Sequence, residues 1–471
     1  MCYDIDKETG KRVGVVMSCK ICIIGAGSAV FSLNLIKDVC INEHFKNCKI
    51  SLMDVNEERL DAIYGLCTRY TEEMNANIKV TKTMDRREAM KDADFVLNVA
   101  LDYGHERYRQ GIKVAYDNGY RFGGSLHVLH DEAFYINFYQ LRLMEDILID
   151  LLDICPNAYY ILVANPVQAG VTYLSRKYKN AKIIGMCHGY TGVYSITDAM
   201  GWDRKDVTYE IAGVNHFIWL TSFKYKGEDA YKLLDKWLEE HNGSLWPENA
   251  SLEDVGLKGD EISLKAIDLY KRYGLFPIGD TACAGGGAWG WEYHTDEETQ
   301  EKYKSDPYKW YQLYFKCCDE NVLDIKKVVE DRTVRVSDVF SDVASDEPMI
   351  PLIEGLAFDT GTRVVVNILN DGGYMKDLPK DYEVEVASIV DKHGIHPLHN
   401  NGLPKPIMAK LYRDRIATVE TELDAFITGK RERLLDLIMM DPWTKSRAQA
   451  QKLLDDIMNL ECNKEMKEYY K

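Results

Sequence analysis

The sequence predicts an α/β fold, a Rossmann-type doubly wound parallel sheet followed by an α+β C-terminal domain. Three observations predict it. Short apolar runs alternate with helical patterns along the first 200 residues, as repeated βα units require. Those runs are almost continuously apolar rather than alternating, as expected of parallel strands buried on both faces. The first of them closes on a glycine turn, Lys20-Ile-Cys-Ile-Ile-Gly-Ala-Gly27, that opens a helix.

The elements follow in order. Ile21–Ile24 reads as the first strand, Ser28–Val39 as the first helix and Lys49–Asp54 as the second strand. Further strands are expected at Ile78–Thr81, Asp94–Val99, Tyr159–Ala164 and Lys182–Met186. Beyond Gly201 the pattern changes to long amphipathic helices, such as Tyr231–Glu240 and Leu411–Ala425, mixed with strands at Arg363–Ile368 and Tyr382–Ala387. A single core stops growing near roughly 250 to 300 residues, so the 471 residues divide into more than one unit. We expect a polar N-terminal extension over 1–17, a dinucleotide-binding domain over 18–200 and an α+β catalytic domain over 201–471. With no Pro-rich linker and no repeat of fixed period, the two halves should pack together with the active site between them.

Composition narrows the function. A hydrophobic fraction of 46% with 28% charged residues is that of a soluble enzyme. The formal charge of −17 repels polyanions and anionic lipid surfaces, which argues against nucleic acid or membrane partners. No long apolar run or signal-type N-terminus occurs, so a cytoplasmic location is expected, and the 12 cysteines are scattered as reduced thiols are. Cys19-Lys-Ile-Cys22 has metal-type spacing, but within a strand its two thiols face opposite sides.

The glycine turn predicts NAD⁺. Gly25 permits the tight turn, Gly27 lets backbone approach a pyrophosphate, and Ala26 and Ser28 complete the lead into a helix N-terminus that favours anions. The third glycine position holds Val30. Asp54 ends the second strand, where a carboxylate binds ribose hydroxyls and repels a 2′-phosphate. Asn98 and Asn165 end later strands at the same sheet edge and are candidate cofactor contacts, or else turn-forming residues.

A second constellation points to a metal. Cys187 follows the strand Lys182–Met186, and His216 lies in the apolar run Ala212–Leu220. Two protein ligands would leave a divalent ion open to a chelating substrate, and softness alone does not choose the ion. Asp280, in Phe276-Pro-Ile-Gly-Asp280-Thr, is a candidate general base ahead of the Gly- and aromatic-rich segment Ala282–Tyr293, which reads as a loop over a pocket. The triple His393, His396 and His399 has turn character rather than a ligand pattern.

With these residues in hand the chain resembles glycoside hydrolase family 4, the NAD- and metal-dependent glycosidases whose fold is shared with lactate and malate dehydrogenases. The resemblance runs from Lys20 onward through Gly-Ala-Gly-Ser28, Ala-Asn165-Pro, Cys187-His188-Gly189-Tyr190, Gly-Val-Asn-His216, Pro-Ile-Gly-Asp280-Thr and Gly-Ile-His396-Pro. It implies that Cys187 and His216 hold a divalent ion, commonly Mn²⁺, that chelates the sugar. Asn165 would face substrate and nicotinamide, and His188 would contact substrate and assist leaving-group departure. Asp280 would be the C2 base, a position held by Tyr in many relatives. The implied chemistry is C3 oxidation, C2 deprotonation, elimination, water addition and re-reduction, so the cofactor ends unchanged. The resemblance also implies a homodimer or homotetramer. Cys187-His188-Gly189 is similar to members acting on small carbohydrates with an α-linked uronic acid, closest to α-glucuronidases. Neutral-sugar and α-galacturonide members are the alternatives, and a plain 2-hydroxyacid dehydrogenase is more distant. A uronate carboxylate would need a cation, with Arg109, Arg121, Arg332 and Arg335 as candidates.

Overall fold

The computed structural model describes residues 3–5, 12–14, 18–283, 285, 289–340 and 343–471. Of the N-terminal extension, Tyr3–Ile5 (β1) and Arg12–Gly14 (β2) pair antiparallel, and the remainder of 1–17 lies outside the described residues. The expected βα units follow as Lys20–Ile24 (β3), Lys49–Met53 (β4), Lys79–Thr83 (β5), Phe95–Asn98 (β6), Tyr159–Leu162 (β7) and Lys182–Gly185 (β8). Their spatial order is β8-β7-β6-β3-β4-β5 and all neighbours are parallel. The order reverses between β3 and β6, which opens a crevice at the carboxyl ends of those strands, where doubly wound sheets hold ligands.

The continuous apolar strands supply two cores at once. Ile21 and Ile23 enter one layer with Leu52 and Leu97, while Cys22 and Ile24 enter the other with Val96 and Leu162. Each such fully buried aliphatic side chain contributes roughly 1.5–3 kcal/mol. Cys19 and Cys22 therefore part to opposite faces, and the Cys19 sulfur instead meets Cys48 at 3.1 Å.

A small antiparallel sheet follows, made of Val207–Val214 (β9), Phe217–Tyr225 (β10), Glu228–Asp229 (β11) and Phe276–Ile278 (β12). The run Ala212–Leu220 is thus not one strand but a hairpin, with Val214 paired to Phe217 across the two-residue turn Asn215-His216. The chain then returns to the first sheet. Thr362–Leu369 (β13), Glu383–Asp391 (β14) and Gly394–Pro397 (β15) add antiparallel to β8, extending that sheet to nine strands. The sequence reading put the strands near 363 and 382 in the second domain; their apolar inward faces instead complete both cores of the first sheet, with Val366 in one layer and Val365 in the other.

The helix expected over Leu411–Ala425 is broken. Lys405–Leu411 and Ala417–Thr428 are joined by a π-turn over Tyr412–Ile416, and the extra residue turns Arg415 into the core. Such turns inside helices mark places where a side chain has been re-aimed. No helix of the described residues is long and apolar enough to cross a membrane.

Candidate active site

The glycine turn sits at the carboxyl end of β3. Gly25 has φ +90°, and a Cβ there would lie 2.5 Å from the Ala100 Cα, so only glycine fits. The Gly25 and Ala26 amides both donate to the Met53 carbonyl at 2.9 Å, tying the turn to β4. The Gly27 amide donates to Asp54 Oδ2 at 2.8 Å, and Asp54 Oδ1 accepts from Asn56 at 2.8 Å, which aims the carboxylate across the turn. Ser28 precedes the helix Ala29–Ile41 but its hydroxyl makes no cap bond, so the first helical turn keeps its amides for a ligand. The Val30 side chain lies outside what the structure describes. This tight, glycine-lined turn with a carboxylate beyond it fits a dinucleotide.

Asn98 and Asn165 are placed differently. Asn98 is fully buried, donating to Tyr160 Oη at 3.0 Å and accepting from the Ala100 amide at 3.1 Å, so its amide supports the loop beneath the crevice. Asn165, at the end of β7, is half-buried and donates to Asp131 Oδ2 at 2.8 Å, while its carbonyl accepts from Gln140 Nε2 at 2.9 Å.

One strand further along, Cys187, His216 and Asp280 converge, with one donor atom from each within 4.8 Å of the others. The three come from separate elements. Cys187 leaves β8 and its sulfur accepts the Gly189 amide at 3.4 Å. His216 occupies the β9–β10 turn with φ +60°, an uncommon conformation for histidine that is held here by the hairpin around it. Gly213 serves the same turn, since a Cβ there would meet the Phe217 carbonyl at 2.0 Å. Asp280 lies in the 3₁₀ turn after β12, whose pairing to β10 is locked by Thr281, whose Oγ accepts the Ile218 amide at 2.8 Å and donates to its carbonyl at 3.0 Å. Asp280 Oδ2 is 3.3 Å from His216 Nε2.

The other imidazole nitrogen is fixed from behind. His216 Nδ1 pairs with Glu132, and Glu132 is held by Arg415 Nη2 at 3.0 Å. Arg415 also donates to the Asn215 carbonyl at 3.1 Å. Glu132 and Arg415 are both fully buried. Burial alone would raise the Glu132 carboxyl, but Arg415 and His216 hold it well below the usual range. Burial would likewise lower His216, and the carboxylates of Asp280 and Glu132 push it well above the ordinary imidazole value. The Cys187 thiol is pushed up by burial, against its hydrogen bond to His216.

More carboxyl groups lie behind. Glu383 and Glu385 project from one face of β14, both fully buried. Glu383 accepts from the Asn215 amide at 3.2 Å, and Asn367, with its amide turned to donate, reaches Glu383 Oε1 at 2.8 Å and Glu385 Oε2 at 3.1 Å. Burial pushes Glu383 well up and Glu385 up to about 8. A thiol, an imidazole and a carboxylate converging in surroundings this rich in acid suit a divalent cation, because their lone pairs meet at one point and the carboxyl groups around them favour positive charge there. His130 and Asp131 complete the wall, with His130 Nδ1 paired to Asp131 and the His130 ring 6.3 Å from that of His216.

His188 is exposed beside Cys187, and its imidazole partly opposes the burial that pushes the Glu347 carboxyl up. Of the Ala282–Tyr293 segment, residues 284 and 286–288 lie outside the described residues; of the rest Trp291 is exposed, while Trp289 stacks on Phe217 and Tyr293 donates to Asp268 at 2.7 Å. The three histidines near 396 do not converge: His396 pairs with Asp391 at 2.9 Å and His399 with the Gly373 carbonyl at 3.2 Å. Among the arginines, Arg121 lies over Tyr116 and Arg335 beside Glu73, Arg332 is exposed, and Arg109, on the helix Glu106–Asp117, covers Phe315 and pairs with Asp319 at 3.7 Å.

This geometry agrees with what the chain is similar to. Residues 20–201 match the model described as family 4 glycosyl hydrolase, and residues 211–444 match the C-terminal domain model of the same family. The chain belongs to glycosyl hydrolase family 4. It is 24% identical to an α-galactosidase of Bacillus subtilis (strain 168), over 91% of this chain and 94% of that one. It is also 24% identical to an α-galacturonidase of Lachnoclostridium phytofermentans, over 95% of this chain and 96% of that one. The fold is shared with a solved 6-phospho-α-glucosidase from gut microorganisms in complex with NAD and Mn²⁺, with a TM-score of 0.77 at 17% identity, covering 95% of this chain and 99% of that one.

The sequence reading missed Glu132, Asp131, His130, Glu383, Glu385 and Arg415. A signal existed for two of them: Glu383 and Glu385 alternate with Val384 and Val386 in an apolar strand, which places two carboxyls on one inward face.

Proposed function

We propose that this family 4 hydrolase is an NAD- and divalent-metal-dependent α-glycosidase whose preferred glycone is an α-linked uronic acid, most favourably glucuronic acid. The single observation that carries the mechanism is the convergence of Cys187, His216 and Asp280 on one point at the sheet edge that also carries the glycine turn. Bound NAD⁺ supplies reversible hydride transfer, and a bound divalent ion such as Mn²⁺ supplies Lewis-acid polarisation of the sugar oxygens.

The chain's own residues do the rest. Gly25, Ala26, Gly27 and Ser28 would receive the pyrophosphate and Asp54 the adenosine ribose. Cys187 and His216 would hold the ion, with Glu132 fixing the His216 tautomer so that Nε2 faces it. Asp280, more exposed than His216, is the carboxylate placed to take a proton from the sugar carbon next to the chelated oxygens. Asn165, oriented by Asp131, would bind a sugar hydroxyl near the nicotinamide, and exposed His188 would donate a hydrogen bond toward the departing oxygen.

The substrate class rests on Cys187-His188-Gly189 and on the likeness to an α-galacturonidase. The test is hydrolysis of 4-nitrophenyl α-glucuronide by reduced protein, with and without NAD⁺ and Mn²⁺, beside the α-galacturonide, α-glucoside and α-galactoside. We expect a uronide to be cleaved only with both cofactors and without NADH accumulating. Preference for a neutral sugar would overturn the substrate, and turnover without either cofactor would overturn the mechanism.

A further inference from the structure

The loops that follow β6 and β7 are joined by one buried side chain. Between the strands themselves the last backbone link is the Asn98 carbonyl, which accepts the amides of Val163 and Ala164. Past that point Gln140 takes over. It lies in the helix Phe134–Ile154, is fully buried, and spends both its N–H groups and its oxygen on backbone. Its Nε2 donates to the Ala100 carbonyl at 3.1 Å and to the Asn165 carbonyl at 2.9 Å, while its Oε1 accepts the Asp102 amide at 2.7 Å. Those two loops serve different halves of the site. Ala100 packs against the glycine turn, since a Cβ on Gly25 would strike its Cα, whereas Asn165 reaches Asp131, the neighbour of Glu132 behind His216. Asn137 lies one turn before Gln140 on the same helix face and donates to the Glu132 carbonyl at 2.7 Å, so that face holds both walls of the crevice.

We propose that Gln140 is the positioning residue for the nicotinamide half of the cofactor: by tying Ala100, Asp102 and Asn165 to one amide it fixes the gap between the glycine turn and the side of the crevice that leads to the catalytic cluster. The proposal rests on the reading above, in which Asn165 lies near the nicotinamide. In a doubly wound sheet the pyrophosphate sits at the first glycine turn and the two nucleosides lie on either side of the strand-order reversal, which leaves the nicotinamide over β6 and β7. Gln140, being fully buried, reaches neither cofactor nor sugar and acts through the two loops. The physical ground is the cost of an unpaired buried group: without Gln140 two carbonyls and one N–H lose their partner, and the loops must part to let water reach them. The adenosine half, held by Asp54 and the glycine turn, depends on none of these bonds.

The test is isothermal titration calorimetry of wild type, Gln140→Met and Gln140→Glu with NADH and with ADP-ribose, the same dinucleotide lacking its nicotinamide ring. Gln140→Met keeps the length and apolar volume of the side chain and loses all three hydrogen bonds. Arg107 Nη2 still holds the Asp102 carboxylate at 2.9 Å in that variant, so the loop keeps one anchor. Gln140→Glu keeps the acceptor for Asp102 and, protonated in so buried a place, one of the two donors. In Gln140→Met we expect NADH affinity to fall about tenfold while ADP-ribose affinity changes by less than about twofold. Gln140→Glu should recover part of the loss, with NADH weakened about threefold and ADP-ribose unchanged. Should Gln140→Met fail to fold, the same comparison on Gln140→Glu decides. Equal loss of the two ligands, or full NADH affinity in the folded variants, would overturn the positioning role. A loss confined to NADH, in a protein that cleaves none of the glycosides named above, would support that role while overturning the glycosidase reading.

Discussion

The glycine turn and the catalytic cluster stand at the same edge of the sheet, beyond β3 and β8, but are built in opposite ways. The turn is local: its amides go to Met53 and Asp54, one βα unit away, and its shape is set by glycines. The cluster is assembled from distant segments. Glu132 precedes a helix, Cys187 follows β8, His216 sits in a hairpin, Asp280 follows β12 and Arg415 lies in a π-turn, with the Glu132 to Arg415 contact spanning 283 residues. The difference teaches where each should fail. A local turn can be damaged without the fold noticing, whereas a cluster held by buried charges shares its supports with the core.

The largest expected effect therefore falls on Glu132. In Glu132→Ala the Arg415 guanidinium stays fully buried without its carboxylate, and stability should fall by about 3–5 kcal/mol. Glu132→Gln keeps the shape but removes the charge behind His216, and Mn²⁺ affinity should fall by about 10- to 100-fold, as when a partner of a ligating histidine is lost. Urea denaturation of the first variant and Mn²⁺ titration by electron paramagnetic resonance of the second check these outcomes. An alanine variant within 1 kcal/mol of wild type would break the comparison, because it would make the cluster as separable from the core as the turn.

The turn should behave in the opposite manner. A Cβ at Gly27 would lie 2.7 Å from Asp54 Oδ2, so Gly27→Ala must displace that carboxylate. We expect NAD⁺ affinity to fall about tenfold, with stability changed by about 1 kcal/mol or less and Mn²⁺ affinity unchanged. Titration of NADH fluorescence against both proteins, beside the Mn²⁺ titration, reads the separation. Equal losses of both ligands would show that turn and cluster are coupled.

The same contrast decides what could be read from sequence. Gly25, Gly27 and Asp54 were legible because their geometry depends on a strand, a turn and a helix that adjoin in the chain. The strand runs before residue 200, apart from the mostly exposed edge strand β5, were legible because burial on both faces leaves a continuous apolar signature. Cys187 stood out after an apolar strand, His216 as a polar step within an apolar run, and Asp280 ahead of a Gly- and aromatic-rich segment, its role as base being what the resemblance implied. Glu132 and Arg415 did not stand out, because a buried ion pair has no signature until both partners are seen to be buried. The hairpin at Asn215-His216 was hidden for a related reason: β9 and β10 are apolar on both sides of a turn only two residues long, so they read as one run. The placement of β13 to β15 in the first sheet was likewise invisible, since an antiparallel addition leaves no mark on the strands it joins.

The smallest effect tests a support of the cluster remote from the cluster itself. Asp441 is buried and accepts the amides of Ser125 at 2.8 Å and Trp443 at 2.7 Å, anchoring the start of the segment that carries His130, Asp131 and Glu132. Burial pushes its carboxyl from the ordinary 3.8 up to about 7. Between those two values the folded chain keeps a proton that the unfolded chain has released, so this group makes stability fall as pH rises from about 4 to about 7. Asp441→Asn removes the titration and keeps an acceptor oxygen for one of the two amides, Ser125 on Oδ2 or Trp443 on Oδ1. The variant should gain on wild type across that window, by about 1 kcal/mol at pH 8 once the second N–H, left facing the amide NH2 without an acceptor, is set against it. Urea denaturation of both proteins at pH 5 and pH 8 measures the gain. A difference that is the same at both values would mean that Asp441 enters the folded state ionised, and the loop bearing Glu132 would then be anchored by charge, as the cluster is, rather than by a neutral hydrogen bond.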